Sequence, residues 1–196
     1  APCEPACGHA SGTVSLSGTL TPEVSLFTLK LSEPMAYRPG QFVLLSGFGV
    51  DGPRAYSMAR HDPEKPDLSL LIRKGEGAFT KALFDGAKEV PVAVFGPLGR
   101  ATFSCSEDRP FVAIAGGSGI AGILAILHHA LSGEHFQKHR SHVFFGLRGH
   151  TDAYLMDELS QAVAQSGGNL EITVVFSDAA CPPDFSTRYP LLHFTQ

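Results

Sequence analysis

The first half of the chain is written in short apolar-rich or alternating runs divided by turn-forming residues. Thr13–Leu16, Ser25–Leu31, Gln41–Ser46, Arg54–Ala59, Leu68–Arg73 and Val90–Phe95 are bounded by Pro-Glu, Pro-Gly, Gly-Pro and Asp-Pro breakers, which reads as six strands. Six short strands at this spacing predict a small antiparallel barrel. One helix is expected to interrupt them at Ala78–Phe84, just after Gly75-Glu76-Gly77.

After Pro110 the rhythm changes. A β-rich run, Phe111–Ala115, meets a glycine loop and then an apolar helical pattern from Ile120 to Leu131. A strand at His142–Leu147, a helix at Ala153–Gln165 and a strand at Glu171–Phe176 complete a βαβαβ alternation, hence a parallel sheet covered by helices. The polar stretch Ser104–Arg109 marks the boundary. The expected division is a tail or linker over 1–12, the barrel over 13–104 and the parallel-sheet unit over 105–196.

Composition narrows the class. Apolar content of 43% against 17% charged residues describes a chain able to bury a core. A net charge of −4 without a basic stripe gives nucleic acid no footprint. No apolar run reaches the roughly 18 residues a bilayer span needs, and no charged-then-apolar leader is visible, so membrane insertion is not expected and a cytoplasmic location is. Cysteines at 3, 7, 105 and 181 are too scattered for a disulfide framework; Cys3 and Cys7 read as free thiols on a frayed end. His135 and His139 have a metal-ligand spacing, but no carboxylate or cysteine completes a set, so no metal is expected. No nucleophile elbow points to hydrolysis.

Three motifs carry candidate chemistry. Arg54-Ala55-Tyr56-Ser57 lies on an expected strand whose alternation puts Arg54 and Tyr56 on one face and turns Ser57 to the other. A cation, a flat aromatic wall and a hydroxyl are the three kinds of group a flavin dinucleotide needs, although such a tetrapeptide alone also fits an ordinary strand. Gly77-x-x-Thr80 opens the expected helix, where backbone N–H groups, a hydroxyl and the dipole suit an anion or simply cap the helix. About sixty residues after Ser57, Gly117-Ser118-Gly119-Ile-Ala-Gly122 satisfies G-x-G-x-x-G between a strand and a helix. The acidic residue that a true Rossmann unit places about twenty positions later is missing, and Gly146-Leu147-Arg148 stands there instead.

With Arg38-Pro-Gly40-Gln-Phe42, Leu71-Ile72-Arg73 and Gly96-Pro-Leu-Gly99 in register around the first motif, the chain resembles the ferredoxin reductase-like flavoenzymes of the oxygenase-reductase type. The resemblance implies a six-stranded antiparallel FAD-binding barrel followed by a partial Rossmann-like NAD(P)-binding domain. It assigns Tyr56 to stacking on the isoalloxazine and Ser57 to hydrogen bonding near N5, the two residues closest to the chemistry. Arg54 goes to the pyrophosphate, as does the turn Gly77, Ala78, Phe79 and Thr80. Leu71, Ile72 and Arg73 border the ring and adenosine moiety. Gly117, Ser118 and Gly119 go to the nicotinamide dinucleotide, and Arg148 to its adenosine side, where a solvated strand-end arginine is the other reading.

The family loop usually reads G-G-T-G-I-A-P; here Ser118 replaces the threonine and Gly122 the proline. One arginine, Arg148, near Asp152 and Asp178 favours NADH over NADPH. The implied function is electron transfer from NADH through FAD to a one-electron acceptor, a [2Fe–2S] ferredoxin or oxygenase component. A flavin- or nucleotide-binding regulatory subunit without turnover of its own is the alternative. Two further strands are expected beyond the third. Because the chain ends at Gln196, the dinucleotide half is expected to be incomplete, with an N-terminal iron–sulfur domain left open. Ala180-Cys-Pro-Pro183 is superficially similar to the family's nicotinamide-facing loop, but follows the third strand directly and is expected to be coincidental.

Overall fold

The computed structural model describes residues 5–60, 65, 67–85, 89–106, 108–178 and 180–196; Cys3 lies outside them. β1 (Gly8–Thr19), β2 (Val24–Leu31), β3 (Phe42–Gly47), β4 (Val50–Ser57), β5 (Asp67–Arg73) and β6 (Val90–Leu98) form one antiparallel sheet in the order β4-β3-β6-β1-β2-β5. The sheet curls until its edges meet, through a bridge between Met58 and Leu70 and a hydrogen bond from Ala59 N–H to the Ser69 carbonyl at 2.7 Å. Alternation drives the curl: Phe27, Leu29, Val43, Leu45, Leu68 and Leu70 all turn inward and are essentially buried. The helix α1 (Ala78–Asp85) closes one end with Phe79 and Leu83.

One expectation needs correction. The stretch expected as tail contributes Gly8–Gly12 to β1, which pairs with β6 from Gly8↔Gly96 to Val14↔Val90. β1 pairs with both β6 and β2 over Gly12, Thr13 and Val14, whereas residues 8–11 run in register with β6, and their small side chains add no apolar face. That composition hides the strand from a reading based on apolar alternation.

The second unit runs β7 (Val112–Gly116), α2 (Ile120–Ser132), β8 (Ser141–Leu147), α3 (Met156–Gln165), β9 (Leu170–Phe176), α4 (Pro183–Arg188) and β10 (His193–Thr195). Its strands are all parallel, in the order β10-β9-β8-β7. The count of three strands is therefore corrected to four. β10 has only three residues, too few for periodicity to show. Cys181-Pro182-Pro183 leads into α4, with proline in the first helical turn where its missing N–H is harmless. The helix expected from Ala153 begins at Met156, because Leu155 sits at a left-handed φ of 65°. One sheet face packs Val143, Phe145, Ile172 and Val174 against Ile120, Leu124 and Leu159. On the other face Val112 and Ile114 are 69% and 78% exposed, and no strand pairs with the outer edge of β7 among the described residues. No helix among the described residues is long and apolar enough to cross a membrane.

The clustered histidines separate into different roles. His139 pairs with Asp108 at 2.8 Å, and His142 stacks on Phe144 with ring centroids 4.0 Å apart. No group of three possible metal ligands occurs among the described residues. His135 is 3% exposed among Phe103, Phe111 and Phe136, with Nε2 3.3 Å from the Ser141 hydroxyl and Nδ1 buried without a hydrogen bond. Burial first, and the neighbouring His139 second, hold this imidazole below its ordinary pKa. The unfolded chain then takes up the proton more readily, so stability is complete above about pH 6.5 and falls as pH drops toward the folded value. His135→Phe is expected to flatten that acid-side decline in urea midpoints measured across the pH range; an unchanged slope would contradict it.

Candidate functional site

The barrel presents the first half of the site on β4 and α1. Arg54 curls back over the hairpin, its Nη1 donating to the carbonyls of Gly52 at 3.1 Å and Pro53 at 3.2 Å. Tyr56 lies on the same face, stacked over Phe79 with centroids 6.1 Å apart. Burial raises the Tyr56 pKa, opposed by the Thr80 hydroxyl and the Arg54 charge. α1 has no acidic residue in its first turn, and Gly77 accepts its first helical bond from Lys81 N–H at 3.0 Å. The first N–H groups of a helix have no intrahelical acceptor. A cation, a hydroxyl, an aromatic face and helix-end donors thus gather, and the Glu76 carboxylate that precedes the helix is paired with Lys81 at 2.9 Å, a donor set that fits a flavin dinucleotide.

The second half is a cleft of about 390 Å³ at the carboxyl ends of β7, β8 and β9. Gly116, Gly117 and Ser118 form one wall, Gly146 to Arg148 the floor, and Val175 and Ser177 the far side. This is where an open parallel sheet binds ligands. A Cβ added at Gly116, Gly117 or Gly119 would meet nothing within 4 Å, so the loop backbone borders open space, and Gly117 needs its glycine for a φ of 50°. The barrel supplies the remaining wall with Glu23, Val24 and Arg73, and Asp152 and Tyr154 complete it. The Tyr154 hydroxyl is buried without a hydrogen-bond partner, and burial raises its pKa strongly, so it stays protonated and able to donate. A buried orphan donor beside bare backbone fits a phosphate- and hydroxyl-bearing nucleotide.

The halves meet closely. A Cβ on Gly122, in the first turn of α2, would stand 3.8 Å from Gly40 Cα and from Ser57 Cβ. Ser57, at the end of β4, therefore lies where the β4 face and the glycine loop that opens α2 converge. Arg60 of the barrel reaches Glu158 of α3 at 3.3 Å, and His128 of α2 reaches the same carboxylate at 3.0 Å.

Comparison with known proteins agrees with this division. Residues 11–103 match the family of the oxidoreductase FAD-binding domain, and 113–192 match that of the oxidoreductase NAD-binding domain. The ferredoxin–NAD(+) reductase component of the alkene monooxygenase system from Xanthobacter autotrophicus is 40% identical over 131 residues, 66% of this chain and 40% of the relative. The reductase component of phenol 2-monooxygenase from a Pseudomonas species is 28% identical over 184 residues, covering 93% and 51%. The chain belongs to the ferredoxin reductase-like flavoproteins. Among solved structures, the Amycolatopsis cytochrome P450 reductase GcoB superposes with a TM-score of 0.81 at 28% identity, over 95% of this chain and 59% of that one. The chain spans about half the length of the curated relatives it matches, 40% to 52%.

Within this flavoprotein fold the sequence-expected residues are placed unevenly. Arg54, Tyr56, Ser57, Gly77, Ala78 and Thr80 come together at β4 and the start of α1. Phe79 is fully buried beneath Tyr56, so its part is to support the aromatic wall. Leu71 and Ile72 are 4% and 2% exposed, committed to the two cores, and their side chains reach no open surface. Arg73 points into the cleft at the carboxyl ends of β7, β8 and β9. Glu23 and Tyr154 were not foreseen: neither belongs to a motif, and only folding brings them to the cleft.

The two facing glycines give opposite expectations. Gly40 has a φ of 98°, and a Cβ there would run into the Ala101 carbonyl. Gly40→Ala is expected to cost more than about 1 kcal/mol. Gly122→Ala meets only ordinary contacts and is expected to be neutral or to gain up to about 1 kcal/mol from helix propensity. Urea denaturation of both variants checks this; equal losses would contradict it.

Proposed function

We propose that this chain is the electron-transferring core of an NADH-dependent flavoprotein reductase. The observation that carries the reading is the convergence of the two halves at Ser57 and Gly122, where a flavin on the β4 face and a dinucleotide in the cleft would bring their reactive ends together. FAD, when bound, supplies a ring that accepts a hydride from a reduced nicotinamide and gives up electrons singly.

The chain's own residues bind, orient and exclude water. Tyr56 offers the flat wall for the ring, and Ser57 a hydroxyl at the domain junction. Arg54, Thr80 and the first turn of α1 neutralise the flavin pyrophosphate. Gly117, Ser118 and Gly119 let the dinucleotide pyrophosphate approach bare backbone at the start of α2, while Arg148 and Tyr154 face its adenosine side. Residues 13–104, with β1 extended back to Gly8, form the flavin domain in this reading, and 105–196 the dinucleotide domain. The acceptor is a [2Fe–2S] ferredoxin or oxygenase component, by likeness to the oxygenase-system reductases among its relatives. The cytoplasm, where NADH is available, is the proposed location.

Tyr56→Ala tests the flavin half. After incubation with FAD and desalting, visible absorbance of the wild type is expected to show near-stoichiometric flavin. The variant is expected to bind it about tenfold more weakly or worse, the loss of one buried aromatic stacking contact. Circular dichroism checks that the fold persists. A wild type that retains no flavin, or a folded variant that retains it fully, would defeat the assignment.

A further inference from the structure

The dinucleotide cleft contains two arginines, and both are already engaged. Arg148 directly follows β8, where this architecture places the cation that accommodates a 2′-phosphate. Its guanidinium lies 3.4 Å from Glu23 on one side and 3.4 Å from Asp152 on the other. The same Glu23 oxygen takes Arg73 at 2.9 Å. Two cations and two carboxylates thus cancel within one cleft wall.

Glu23 does not belong to the nucleotide-binding half. It sits on the turn between β1 and β2 of the barrel, and that turn is fixed. The buried Thr21 hydroxyl accepts from Glu23 N–H at 3.3 Å and from Val24 N–H at 3.0 Å, while the Glu23 carbonyl accepts from Lys74 N–H at 2.6 Å. The carboxylate is therefore presented across the domain boundary from a rigid support. The second strand of the nucleotide half carries no acid at its end; the barrel delivers one to the same place.

We propose that Glu23 is a specificity residue for the nicotinamide dinucleotide, reaching from the flavin barrel to occupy Arg148 and Arg73 and so selecting a 2′-hydroxyl over a 2′-phosphate. The proposal rests on the assignment of this cleft to the dinucleotide. A 2′-phosphate adds about two negative charges. It would meet the Glu23 and Asp152 carboxylates and find both arginines compensated. A 2′-hydroxyl adds no charge and can donate to a carboxylate. The Glu23 pairs are about half-exposed, so they contribute little to fold stability, and neutralising the residue leaves the fold intact.

Glu23→Gln keeps the side-chain shape and removes the charge. Dissociation constants for NAD⁺ and NADP⁺ are measured by isothermal titration calorimetry on the FAD-loaded wild type and variant at fixed ionic strength. The wild type is expected to bind NAD⁺ more tightly. The variant is expected to shift the NADP⁺-to-NAD⁺ affinity ratio by about tenfold toward NADP⁺, as Arg148 and Arg73 become available to the phosphate, and the shift is expected to shrink at high salt. An unchanged ratio, including equal loss of both ligands, would mean that Glu23 is only a structural clasp and overturns the proposal while leaving the cleft assignment standing. A wild type that prefers NADP⁺ overturns it as well. If the wild type binds neither dinucleotide, the cleft assignment itself fails and takes the proposal with it.

Discussion

An apolar seam between barrel and parallel sheet sets every distance in the site. Val24, Ala59, Leu71 and Phe103 of the barrel side join one continuous core with Ile120, Ala121 and Leu124 of the sheet side. Gly40 faces Gly122 across it: a Cβ at Gly122 would sit at ordinary contact distance from Gly40 and Ser57, whereas one at Gly40 would strike the Ala101 carbonyl. Water is excluded along the seam by burial alone, and the cross-boundary ion pairs sit around its exposed margin, where they orient the halves and add little stability.

β5 shows how one strand serves three environments. Leu71 turns into the seam, Ile72 into the barrel core, and Arg73 emerges in the dinucleotide cleft. Alternation on a curled sheet does this with consecutive residues. The neighbouring β4 strand repeats the logic, with Arg54 and Tyr56 on one face and Ser57 at the junction. Both proposed phosphate sites rest mainly on backbone N–H groups at helix starts. That leaves the arginines of the cleft free to be paired with acids, which makes the charge balance there a matter of selectivity.

Much of this was legible in the chain itself. Alternating runs bounded by proline and glycine marked the barrel strands, and the strand–glycine–helix succession marked the second unit, because both patterns follow from which face must be buried. The beginning of β1 was hidden, since its run of Gly, His, Ala and Ser is held by backbone pairing with β6 and carries no apolar signature. α4 and β10 were too short to show a period. Phe79 and Ile72 looked like ligand contacts because the motif surrounds them, whereas packing turns them inward. Glu23 and Tyr154 carried no signal at all. Their roles arise from contacts across the seam, and no spacing along the sequence encodes those.

The most direct measurement is an anaerobic titration of the FAD-loaded chain with NADH, followed by visible absorbance. Two sites converging at Ser57 and Gly122 predict that the flavin bands bleach with near-stoichiometric NADH. Bands that persist through excess NADH, yet bleach with dithionite, would show that the two sites do not meet in a working geometry and would contradict the central claim.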